Sequence, residues 1–196
     1  MNKINVLLCI CILLCFSACT KEIYADVMPT DAEEVYEIVI PKTLQQLCNQ
    51  SSEEMRDDFI NLGEDYCTDC IVRENEVYLY VTEEQKQKLV NRFNGYIDGW
   101  IEEFLNLNDS YRFEGDEKYQ SVTYYYDEKM DKSYEFTAVY AVVTNYAMNY
   151  VLTTNDPDWN VHFKIYNCHT NKLVAEGDVA YEKVSWDDED WARSYE

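Results

Sequence analysis

The sequence predicts an α+β fold on two observations: a long run of helical periodicity in mid-chain, and a strand-like pattern that takes over after it. From Thr82 to about Leu107, Leu89, Val90, Phe93, Tyr96, Ile97, Trp100, Ile101, Phe104 and Leu105 recur at spacings of three and four. That makes one broad apolar stripe of an amphipathic helix. Beyond Asn108-Asp109 the spacing shortens to two, the period of a strand. A length of 196 residues, 47% hydrophobic, suits one domain with its own core.

The chain opens with Met1-Asn2-Lys3, an apolar run from Ile4 to Phe16, and Ser17-Ala18-Cys19. A positive start, a short apolar core and small residues before a cut site make a secretory signal, too short for a permanent membrane span. Phe16-Ser17-Ala18-Cys19 resembles the lipobox of bacterial lipoproteins, with Phe16 where that family usually has Leu. The resemblance implies that the signal, residues 1–18, is cut before Cys19. It also implies that the Cys19 thiol carries diacylglycerol and that the new amino terminus is acylated, as by palmitate. The partner so implied is a membrane of the cell envelope. Thr20, not Asp, follows the cysteine, which favours the outer membrane or cell surface in a diderm. Residues 19–34 are then a lipid-anchored tether, whose stretch from Thr20 to Glu34 is acidic, broken by Pro29, and about 50 Å long at most.

A single domain is expected over 35–186. Val35–Ile40 reads as a strand closed by Pro41, and Thr43–Cys48 as a helical turn. Ser51 or Ser52 caps a short helix, Glu53–Leu62, with Gly63 as its stop. Cys70–Val81 is a hairpin around Arg73-Glu74-Asn75. Thr82 with Gln85 forms a capping box for the long helix. On that helix Gly95 and Gly99 are read as letting it approach a sheet closely. Tyr119–Tyr126 follows as a strand. Ser133–Thr153 reads as an unusually long strand with a large aromatic face and a bend at Thr144-Asn145. Asn160–Cys168 and Lys172–Val184 close as a hairpin, and 187–196 as an acidic tail frayed past Trp186. The result is a long amphipathic helix on a curved antiparallel sheet of four or more strands. This order of elements resembles the cystatin-like roll shared with nuclear-transport-factor-2-like (NTF2-like) domains, a shape that hosts binding modules, enzymes and inhibitors alike.

The formal net charge of -22 makes a surface that repels nucleic acid and anionic lipid head groups, so neither is expected as a partner. Outside the signal and Cys19, four thiols remain. Cys48, Cys67, Cys70 and Cys168 are disulfide candidates, expected as two structural bridges with three possible pairings. The alternatives are free thiols, or metal or redox chemistry at the Cys67-Thr68-Asp69-Cys70 motif, which lacks a thioredoxin-like context. His162 and His169 carry no catalytic signature. Cys168 and His169 are not read as a nucleophile dyad, because adjacent strand residues point to opposite faces. Asp156-Pro157-Asp158 lacks the glycine and distant glutamate of a calcium loop and reads as a turn. No cofactor and no metal site is indicated. Most of the 18 tyrosines belong to packing, while Tyr124, Tyr126 and Tyr134 are candidates for a binding surface. The expected function is a non-catalytic, membrane-anchored domain that binds a protein or small ligand. The alternatives are an NTF2-like enzyme with a pocket between helix and sheet, or a thiol redox protein using Cys67 and Cys70.

Overall fold

Residues 33–130 and 132–196 are described in the computed structural model. The signal, Cys19 and the tether up to residue 32 lie outside them. The compact unit described here runs from Val35 to Glu196.

The first half builds a three-stranded antiparallel sheet. β1 (Val35–Ile40) and β2 (Asp69–Arg73) flank β3 (Glu76–Thr82). In β3 every second residue is buried, so Val77, Leu79 and Val81 form the inner face. Glu74 and Asn75 both take positive φ, as the two-residue hairpin between β2 and β3 requires. Two short helices, α1 (Lys42–Leu47) and α2 (Ser52–Asn61), lie between β1 and β2. The Ser51 hydroxyl and the Glu54 carboxylate close a capping box at the start of α2, and Gly63 at φ 87° ends it. Buried Gln45 ties these pieces together. Its amide donates to the Ile40 and Asn75 carbonyls, and its oxygen accepts from Ser52.

The long helix is present as α3 (Glu83–Leu105), with the Thr82–Gln85 capping box. Leu89, Val90, Ile97 and Phe104 are its buried positions. Gly95 and Gly99 do not face a sheet: a methyl group at either would meet no atom within 4 Å.

The second half is a four-stranded sheet, β4 (Arg112–Gly115), β5 (Ser121–Tyr126), β6 (His162–Asn167) and β7 (Leu173–Asp178), in that spatial order. Here the expected all-antiparallel meander is corrected. Residues 133–153 are not a strand but most of α4 (Lys132–Thr154), so Thr144-Asn145 is no bulge. With a helix as crossover, β5 and β6 run parallel. The element order behind the cystatin-like resemblance therefore changes at this point. The physical cause is that α4 is packed on several sides. Ala138, Val139, Val142, Val143, Tyr146, Ala147, Val151 and Leu152 are all buried, so apolar residues leave little polar face to betray the helical period. The α+β class stands.

The apolar surface under α3 is thus largely α4. Asn149 of α4 donates to Asn94, and the Tyr134 ring lies 6.3 Å from that of Trp100, so the two helices run antiparallel. The far end of α3 reaches the second sheet, where Phe104 packs its ring against Tyr124 and Tyr126 at 5.2 and 6.1 Å. The acidic stretch at 187–196 is ordered. Asp187 caps α5 (Asp188–Tyr195), and Trp191 is buried edge-on against Tyr126.

Candidate functional site

Among the described residues, two places stand out: an open groove and a tight polar cluster. The larger is a groove of about 750 Å³ with α1 and α2 on one side and α3 and α4 on the other. Its wall is apolar through Leu47, Met55, Phe59, Leu62, Phe93 and Met148. Asp58, Asn145 and Arg92 add polar groups. The Arg92 guanidinium lies 5.7 and 5.3 Å from the ring centres of Tyr66 and Tyr96, a cation–π setting that keeps its charge at the groove. A second cavity of about 350 Å³ shares Leu47 and Tyr140 with the groove and runs on toward Phe163 and Trp186.

The smaller place is a polar corner at the carboxyl ends of the parallel strands β5 and β6. The Cys168 N–H donates to the Tyr126 carbonyl, which sets Cys168 beside Asp127, the residue after β5. Asn167, fully buried, accepts the N–H groups of His169 and Thr170 on its side-chain oxygen and so shapes the turn. Asp127 is almost wholly buried. Its Oδ1 accepts from the Tyr111 hydroxyl and the Lys129 N–H, and its Oδ2 lies 3.0 Å from His169 Nε2. One ligand atom each from Asp127, Cys168 and His169 lie within 4.8 Å of one another. The geometric exclusion of Cys168 and His169 acting together therefore fails. They sit in a turn, not on a strand, and both reach the same corner. Burial pushes the Asp127 carboxyl up, but the bonds from His169, Lys129 and Tyr111 outweigh it and hold it below the ordinary range. Burial raises the Cys168 thiol, and the Ser110 hydroxyl 3.6 Å away only partly offsets this.

The remaining predicted residues fall elsewhere. Tyr124 and Tyr126 are core, at 1% and 0% exposure, and form no binding surface. Tyr126 instead donates to buried Glu135, which also accepts from the Trp186 indole. Tyr134 is half-buried and lines a cavity of about 320 Å³ with Tyr111, Lys129 and Met130. The expected disulfides are absent, since Cys48, Cys67, Cys70 and Cys168 are all free. Cys48 lines the groove, and burial pushes its thiol up to about 12. Burial raises the Cys67 thiol as well, and pushes Cys70 up to about 12. His162 is paired with Asp178 at 3.0 Å. Asp156 accepts the Asp158 N–H, the expected turn.

No family model, curated protein or solved structure matches this chain.

Proposed function

We propose that this protein is a bacterial lipoprotein, anchored to the envelope membrane through an acylated Cys19, whose domain binds a small amphipathic ligand without transforming it. The observation that carries the binding half is the groove between α1, α2, α3 and α4. A large apolar cleft with a few polar groups is the ordinary form of a ligand site. The acidic surface as a whole repels anions, but Arg92, held against two tyrosine rings at the groove, sets one local positive group beside the apolar wall for the anionic end of a small ligand. The anchoring half rests on Phe16-Ser17-Ala18-Cys19.

Both halves are tested in cells that express the full chain. Labelled palmitate enters the wild type and not Cys19→Ala; equal labelling overturns the anchor. A photoreactive fatty acid forms adducts on peptides that contain Met55 to Leu62, Arg92 to Tyr96 and Ala141 to Met148. Ala141→Trp, which fills the groove from α4, removes those adducts while the thermal midpoint holds. Adducts unchanged in that variant overturn the groove.

A further inference from the structure

The geometry points to a divalent transition-metal site at the corner formed by Asp127, Cys168 and His169. The site is independent of the groove. Each residue offers a different donor atom: a carboxylate oxygen, a thiol sulfur and an imidazole nitrogen. These atoms lie within 4.8 Å of one another. Tetrahedral zinc, with bonds of ~2.0–2.3 Å, needs donors roughly 3.3–3.8 Å apart. The Asp127–His169 edge, at 3.0 Å, is already close to that spacing.

The surroundings are those that metal ligands require. Asp127 is fixed through its other oxygen by the Tyr111 hydroxyl and the Lys129 N–H, which leaves Oδ2 facing the corner. Such outer partners orient ligating carboxylates. Asn167 holds the turn that carries both Cys168 and His169. The His169 side chain is about half exposed, so an ion can enter from solvent. The corner also lies at the carboxyl ends of two parallel strands joined by a helix, where open sheets commonly present their sites. Three protein donors leave a fourth position for water or a substrate group. On binding, the sulfur–metal bond replaces the S–H bond of Cys168 and the proton passes to solvent.

A Cys–His–Asp nucleophile is less well served by the same residues. The sulfur has Ser110 as its hydrogen-bond partner, and the imidazole has Asp127. Soft sulfur with imidazole and one carboxylate suits zinc or cobalt rather than calcium or magnesium.

Cobalt(II) reports on this site directly. The full chain, reduced, untagged and in detergent, is titrated with Co²⁺ and then with Zn²⁺. The expected result is one ion per chain, with visible bands of tetrahedral cobalt and a near-ultraviolet thiolate band, both bleached by zinc. Cys168→Ser abolishes the thiolate band. Half-exposed His169→Gln, which leaves the core untouched, weakens uptake at least tenfold. Tyr111→Phe weakens it about tenfold by loosening Asp127. The double variant Cys67→Ser/Cys70→Ser keeps the full spectrum, and circular dichroism shows each variant folded. No uptake by folded wild type, or a thiolate band that survives Cys168→Ser, overturns the site.

Discussion

Asp127 shows how one buried carboxylate gathers three separate segments: Tyr111 before β4, Lys129 in the turn before α4, and His169 after β6. Its folded-state pKa is depressed, so its stabilising effect is complete above the unfolded value near ~3.9 and fades as pH falls through the lower folded value. Asp127→Asn should therefore cost about 1–3 kcal/mol at neutral pH. Urea unfolding at a series of pH values should show this gap closing in acid. A constant gap would mean that the charge is not what matters. Single residues were legible in the sequence where the rule is local. The Thr82–Gln85 box and the Gly63 stop need only a few neighbours, and both are there. Cys168 and His169 were not legible. Their meeting depends on Asn167 turning the chain and on Asp127 arriving from another strand. Tyr124 and Tyr126 failed for the opposite reason. A tyrosine in a strand looks the same in sequence whether Phe104 covers it or water does.

The two long helices differ in how plainly they announce themselves. α3 has a wet side, so its period shows; α4 is packed on several sides, so valine and tyrosine gave the impression of a strand. Its span was the warning, since a strand from Ser133 to Thr153 would be far longer than an ordinary one. Glycines separate the two settings in a way that can be measured. Gly99 on α3 has open space where a side chain would go, so Gly99→Ala should stabilise by about 0.5–1 kcal/mol through helix propensity. Gly115 on β4 lies directly under the Tyr146 hydroxyl of α4. Gly115→Ala should destabilise by about 1–3 kcal/mol, because the tyrosine must be pushed aside. Chemical denaturation of the two variants checks both signs. A loss at Gly99 would restore the close helix–sheet contact that the sequence suggested.

Across the molecule, charge and topology pull in different directions. With 38 acidic against 16 basic residues, the folded state carries strong self-repulsion. Among the described residues the ion pairs are mostly exposed, as Lys132–Asp188 and Lys88–Glu84 are, and contribute little. Moderate salt should therefore raise the thermal midpoint, as screening to about 10 Å at 0.1 M weakens the repulsion more than the pairs. A midpoint that falls with added sodium chloride in scanning calorimetry would refute this. The α+β class was legible at this level because it needs only the change of period near Asn108. The mixed strand direction was not, because it follows from the single misread helix.

That parallel pairing has a consequence for how the protein fails. β5 and β6 cannot join as neighbours in a hairpin, since all of α4 must first be spanned to bring Tyr126 beside Asn167. Until then β5 is supported only by β4, and one flank of Val122, Tyr124 and Tyr126 stays open, a greasy and unpaired rim. Damage to α4 should thus show itself first as clumping of half-made chains, well before any measurable loss in those that finish.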